Sequence, residues 1–190
     1  MRSRIDNTLL RPKPADAFRS PYDDLIAYHA TENGLDWRLV SALISVESGF
    51  QPEVESEAGA FGLMQVRKVA AEEVGEEAYW SPDGNIRTGV RYLKWLQGRC
   101  AEAKGRDQMA MILAAYNMGP AHLEDAQALA RRFGYDPNRW YGSLEAMLPL
   151  LEQPAVYEQL PNGYARGRAV VEYVERILER FDQHRLATTG

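Results

Sequence analysis

The sequence predicts an all-α domain, and three observations carry that expectation. Apolar residues recur three and four positions apart through most of the chain, which puts them on one face of a helix. No stretch alternates apolar and polar residues with the period of two that a half-buried strand requires, and no segment repeats. Glycine and proline gather where these stretches end, at Gly49, at Gly119-Pro120 and at Asn162-Gly163. A length of 190 residues fits one domain. A chain of that size buries about 70% of its unfolded surface, enough for a core without covalent staples.

The elements follow in order. A first helix is expected over 22–31, with Leu25, Ile26 and Tyr28 at helical spacing. Asp36 suits the N-cap of a second, carrying Leu39, Val40, Leu43, Ile44 and Val46. That helix should stop near Ser48-Gly49, glycine being the favoured left-handed residue past a helix end. Residues 51–62 form an irregular stretch with Pro52, Gly59 and Gly62, and a short helix is expected from about 63 to 73. Asp83 or Asn85 opens a longer helix through Ile86, Val90, Leu93 and Leu96. Met109, Ile112 and Leu113 belong to the next, and Pro120 suits the first turn of its successor, through His122, Leu123 and Leu129. Residues 134–159 are turn-rich with short helical pieces. The last core helix is expected over 166–184, with Val170, Val171, Val174, Ile177, Leu178 and Phe181.

Composition narrows the function. A net charge of −5 argues against nucleic acid as a partner, since binders of nucleic acid carry a basic face. It also means that an acidic polymer would have to be held by hydrogen bonds and stacking. Cys100 is the only cysteine, so no intramolecular disulfide can form. No apolar run is long enough to span a bilayer, and Met1 to Ser20 is polar, basic and interrupted by Pro12 and Pro14, unlike a signal peptide. His29, His122 and His184 are scattered and read as surface residues, no metal-ligand spacing is present, and no cofactor is implied. Trp37, Trp80, Trp95 and Trp140 read mostly as packing residues.

One glutamate stands out. Glu47 ends an apolar amphipathic run, in Ser45-Val46-Glu47-Ser48-Gly49. The apolar residues before it place its carboxyl beside the core, where desolvation favours the neutral acid. The partial negative charge of a helix C-terminus acts in the same direction. Both effects suit a general acid working near neutral pH; the alternative is a helix-end carboxylate in water. Gly59-Ala60-Phe61-Gly62-Leu63-Met64-Gln65 follows, with two glycines that let backbone approach a ligand, a polarizable Met64 as a wall for a sugar face, and a Gln65 amide able to donate and accept. In Ala115-Tyr116-Asn117 the tyrosine hydroxyl could reach Glu47 and the Asn117 amide a substrate group. The alternative is a buried tyrosine bonded to a backbone carbonyl.

In this order, Glu47-Ser48, Gly59 to Gln65 and Ala115-Tyr116-Asn117 resemble the successive motifs of soluble-lytic-transglycosylase-type domains, a family of goose-lysozyme-like helical fold that acts on peptidoglycan. Asp36-Trp37-Arg38-Leu39, His122-Leu123-Glu124-Asp125-Ala126, Asp136-Pro137-Asn138-Arg139-Trp140, Leu148-Pro149-Leu150-Leu151 and Gly163-Tyr164-Ala165-Arg166-Gly167 resemble catalytic domains of the membrane-bound lytic murein transglycosylase F family. The resemblance runs from about Pro21 to Phe181. Residues 1–20 read as a tail or linker stub, and the resemblance implies the catalytic domain at 21–184, leaving a C-terminal tail at 185–190. It implies Glu47 as sole acid and base, with Ser48, Ser56, Met64, Gln65, Tyr116 and Asn117 lining the sugar groove and Tyr164 hydrogen-bonding the catalytic glutamate. Relatives often continue Gly-Leu-Met-Gln into a stretch with proline, whereas Val66-Arg67-Lys68 follows here.

The expected reaction cleaves the bond between N-acetylmuramic acid and N-acetylglucosamine without water, leaving 1,6-anhydro ends. The expected partners are peptidoglycan glycan strands, met by a monomer in the periplasm. The full-length parent would be associated with the outer membrane and carry a regulatory domain ahead of the catalytic one. A muramidase would instead need a second carboxylate near Glu47, for which Glu53, Glu55 and Glu57 are candidates. A non-catalytic cell-wall-binding module of the same fold is the remaining alternative.

Overall fold

The computed structural model describes residues 20–188. The expected tail over 1–20, Ser20 apart, lies outside the described residues. Six helices come first: α1 (Asp23–Glu32), α2 (Trp37–Glu47), α3 (Lys68–Glu73), α4 (Pro82–Arg99), α5 (Gly105–Met118) and α6 (Pro120–Arg132). A kinked run follows, made of a π-type turn (Trp140–Leu144), α7 (Glu145–Met147), a 3-10 turn (Leu148–Glu152) and α8 (Pro154–Tyr157). Helix α9 (Gly167–Thr188) closes the chain and continues through four of the residues expected as a C-terminal tail. No strand forms among the described residues.

Local chemistry sets these boundaries. The Asp36 carboxylate accepts the Arg38 backbone N–H at 3.0 Å and so caps α2, as expected. Ser81, rather than Asp83 or Asn85, caps α4, accepting the Gly84 N–H at 3.1 Å with Pro82 behind it at the first helical position. Pro120 opens α6 in the same way.

Helix α5 is the hub. Ala110, Met111, Ile112, Leu113, Ala114 and Ala115 are all buried, so the helix is enclosed on every side, against α4, α6 and α9. Its alanines let those neighbours come close. Helices α2 and α9 form the most extensive helix pair, and Leu43 and Ile44 share one buried core with Val170, Val174 and Ile177. That pairing brings residues 126 positions apart in sequence to one place.

Two expectations change here. The helix expected from 63 begins only at Lys68. Phe61 and Val66 instead pair as an antiparallel bridge around a tight turn, their N–H and C=O groups bonded at 3.0 and 2.9 Å. Gly62 and Gln65 have φ of +77° and +48°, which a right-handed helix does not allow. The histidines differ too. His29 is buried with Nε2 2.8 Å from Asp83 Oδ1, and His184 is buried edge-on to Trp37. Both sit on helix faces that pack inward, a position their polarity alone does not suggest.

Candidate active site

Glu47 lies at the last residue of α2, half-buried where α9 crosses it. Its Oε1 accepts a hydrogen bond of 2.5 Å from the Tyr173 hydroxyl of α9. Burial pushes the Glu47 carboxyl up to about 7, against the opposing pull of the Tyr173 bond. Tyr173 is itself held well above the ordinary phenol range by burial, then by the Glu47 charge and their shared bond. Tyr116 of α5 shifts the same way, through burial, the Glu47 charge and Tyr92. The carboxylate therefore acts on two phenols from two different helices. Both should remain protonated while Glu47 titrates.

The segment from Val54 to Val66 forms the neighbouring wall, and its backbone is pinned from several directions. Ser48 Oγ donates to the Leu63 carbonyl at 2.8 Å, tying the end of α2 to the loop. Tyr116 Oη donates to the Met64 carbonyl at 2.7 Å. The Gln65 amide donates to the Val54 and Gly62 carbonyls at 2.9 and 3.0 Å, and Ser56 Oγ accepts the Ala60 N–H at 3.0 Å. Asn85 of α4, 1% exposed, holds the loop from below. Its Oδ1 accepts the Met64 N–H at 2.8 Å, and its Nδ2 donates to the Phe61 and Tyr79 carbonyls at 2.8 and 3.0 Å.

Two glycines make this contact possible. A Cβ on Gly62 would stand 2.5 Å from Asn85 Nδ2, and one on Gly89 would stand 2.5 Å from Met64 Sδ. Gln65, one of two non-glycine residues with positive φ among the described residues, lies on this stretch, and the other, Phe50, lies just ahead of it. The Gln65 conformation persists because surrounding bonds hold it, as the pins to Ser48, Tyr116 and Asn85 do for its neighbours Leu63 and Met64.

The expected site residues divide accordingly. Glu47, Ser48, Gln65, Tyr116 and Asn117 come together around the pinned loop and the end of α5. Tyr116 and Gln65, with exposed Asn117, line a cavity of about 220 Å³ together with Tyr92 and Trp95, the Tyr92 and Tyr116 ring centroids lying 5.6 Å apart. Met64 is a correction: its side chain is fully buried against α4, so it offers the site its backbone carbonyl and no sulfur wall. Tyr164 is a second correction. It is 53% exposed and packs edge-on against Tyr157, and the bond to Glu47 comes from Tyr173 instead. The Tyr116 hydroxyl takes the backbone alternative, on Met64, rather than the carboxylate. Ser56 serves its own turn.

Sequence reasoning missed Tyr173 and Asn85. Tyr173 was legible in principle, because Val170, Tyr173, Val174 and Ile177 fall on one stripe of α9. Asn85 gave no local signal beyond a possible helix start. Glu53, Glu55 and Glu57 are exposed on the loop, and burial and Tyr173 are the influences on Glu47, with no carboxylate among them. Among the described residues no three His, Cys, Asp or Glu side chains converge as a metal site would need. None of the described helices is long and apolar enough to cross a membrane.

Residues 24–138 match the profile of the family described as the transglycosylase SLT domain. Membrane-bound lytic murein transglycosylase F of Desulfosudis oleivorans is 42% identical over 159 residues, covering 83% of this chain and 35% of that protein. Its namesake in Saccharophagus degradans is 40% identical over 149 residues, covering 78% and 30%. The chain thus spans about a third of the length of these curated relatives. Among solved structures, the 70 kDa soluble lytic transglycosylase of Escherichia coli has a similar fold, with a TM-score of 0.64 at 20% identity over 89% of this chain and 25% of that one. Lytic transglycosylase Slt of Pseudomonas aeruginosa gives 0.62 at 20% identity, over 90% and 25%.

Proposed function

This chain belongs to the transglycosylase SLT domain family, and on that premise we propose that it is a peptidoglycan lytic transglycosylase using Glu47 alone as acid and base. One observation carries the reading: a half-buried carboxyl raised to about 7, bonded to Tyr173 and free of any carboxylate influence. An acid with that value is substantially protonated at neutral pH and becomes a competent base once it has given its proton away.

The steps follow from that chemistry. Protonated Glu47 gives its proton to the oxygen linking the muramic acid C1 to the next sugar, and that bond breaks. The acetamido oxygen of the same muramoyl unit stabilises the electron-poor C1. The Glu47 carboxylate then removes the proton of the C6 hydroxyl, whose oxygen bonds to C1 and closes the 1,6-anhydro ring. Glu47 ends protonated, as it began. A single carboxylate suffices because the substrate supplies its own nucleophile, in contrast to the carboxylate pair of most glycosidases. The exposed positions of Glu53, Glu55 and Glu57 support this reading over a muramidase.

The groove in this proposal is walled by Ser48, Ser56, Gln65, Tyr116 and Asn117, with exposed Tyr164 as a flanking aromatic surface for sugar. The enzyme would work as a monomer in the periplasm, where murein lies, with outer-membrane association in the full-length protein. Digestion of purified murein tests it. Products whose muramic acid ends resist borohydride reduction are expected. Reducible ends would make the protein a muramidase, and binding without cleavage would make it a wall-binding module.

A further inference from the structure

Of the four tryptophans, Trp80 alone offers an open ring. Trp140 is 1% exposed, and Trp37 is half-buried edge-on to His184. Trp95 stacks on Tyr92 and carries the Arg99 guanidinium 4.9 Å from its ring centre. Trp80 is 60% exposed, on the loop between α3 and α4. It stacks on Tyr79 with centroids 4.4 Å apart and meets Phe61 edge-on at 5.0 Å. One face of the indole is thus backed by a ring, and the other is turned to solvent.

The backbone holds this platform in place. Asn85 Nδ2 donates to the carbonyls of Phe61 and Tyr79, so one buried amide fixes both residues whose rings support Trp80. Ser81 caps α4 directly after it. Gly84 lets the first turn of α4 close on the Ala78 carbonyl, where a Cβ would stand 1.8 Å from the oxygen. A ring fixed before its ligand arrives loses little freedom on binding.

The surroundings select the occupant. Phe61 pairs with both Glu55 and Val66 as antiparallel bridges, which sets the exposed Glu55 side chain beside the Phe61 ring. Glu77 is exposed on the same loop as Trp80. Carboxylates disfavour an anionic membrane leaflet, and one exposed ring falls far short of the ~800 Å² per partner of a stable protein contact. A sugar suits both parts, with its C–H face on the indole and its hydroxyl and acetamido groups donating to carboxylates. Val66 also lines the cavity beside Tyr116, whereas Phe61 and Trp80 do not. The platform therefore extends the wall of the site outward, away from the cavity.

We propose that Trp80 is a sugar-stacking platform that holds an N-acetylhexosamine unit of the glycan strand outside the cavity, remote from the bond being cut. The inference rests on the reading of the protein as a murein-cleaving enzyme. It adds that the enzyme grips long strands better than short ones.

The test measures binding by the full chain carrying Glu47→Gln, which holds strands without cutting them. The probes are peptide-free glycan strands and a single murein disaccharide. Adding Trp80→Ala should weaken binding of long strands by about threefold to tenfold, the scale of one aromatic contact, and Trp80→Phe should weaken it less. Neither should change binding of the disaccharide. Long strands should also shield tryptophan fluorescence from acrylamide, an effect lost in Trp80→Ala, and thermal melting should show both variants folded. Unchanged affinity of Trp80→Ala for long strands, or an equal loss on the disaccharide, would overturn the proposal. Cleavage is assayed separately with Glu47 intact, where an absence of anhydro ends would overturn the underlying reading of the enzyme whatever the binding shows.

Discussion

At the scale of single residues the account turns on Glu47 and Tyr173. The folded pKa of Glu47, about 7, lies above its ordinary value of 4.5. Its protonated form therefore favours the fold, a contribution fully present below 4.5 and lost as pH rises through 7. Glu47→Gln removes the ionisation. It should abolish cleavage, match wild-type stability near pH 4 and exceed it above pH 8 by about 3 kcal/mol, read from denaturant unfolding at both pH values. The same titration should give cleavage an alkaline limb near pH 7. Tyr173 lowers the Glu47 value by its bond, so Tyr173→Phe should move that limb upward and reduce kcat, whereas Tyr164→Phe should leave the limb in place. A pH–rate profile of both variants separates the two tyrosines. The stripe on α9 that carries Tyr173 is visible in the sequence, but its partner 126 residues away is not. Gly163-Tyr164-Ala165-Arg166-Gly167 resembles the family motif, yet the neighbours of Tyr164 leave it half in solvent.

At the scale of elements the pinned loop matters most. The end of α2 at Ser48-Gly49, the Asp36 cap and the Pro120 entry to α6 were all legible because each depends on backbone chemistry within a few residues. The course of 54–66 was not, because its bonds run to Ser48, Asn85 and Tyr116, up to 52 positions away. An isolated Leu-Met-Gln run reads as helix; those distant partners hold it as a turn. Asn85→Ala would leave the Met64 N–H and the Tyr79 carbonyl without their partner, and the Phe61 carbonyl with its Val66 bond alone, and should cost about 2–4 kcal/mol. It should also lower kcat at least tenfold, by the same order of positional loss, without moving the alkaline limb, since Asn85 does not touch Glu47. A loss of stability with kcat intact would restrict Asn85 to a structural role. Gly62→Ala should be as harmful, from positive φ and the collision with Asn85 together.

For the whole molecule, the arrangement is a core that supplies one acid with its surroundings from both ends of the chain. Helix α5 holds Tyr116 from inside, α2 presents Glu47, and α9 returns late in the sequence to bury it. The all-α class and the order of helices were readable from periodicity; the α2–α9 pairing that perturbs the acid depends on tertiary contact. A chain ending before α9 would uncover the face of α2 that packs on it and should show no cooperative thermal transition by circular dichroism. The central claim is that the sugar's own hydroxyl, rather than water, attacks C1 while Glu47 serves as both acid and base. Murein digested in heavy-oxygen water and analysed by mass spectrometry tests it most directly. The account predicts muropeptides lighter by one water than hydrolysis products, carrying no heavy oxygen, and none from Glu47→Gln. Heavy oxygen at the muramic acid C1 would contradict it.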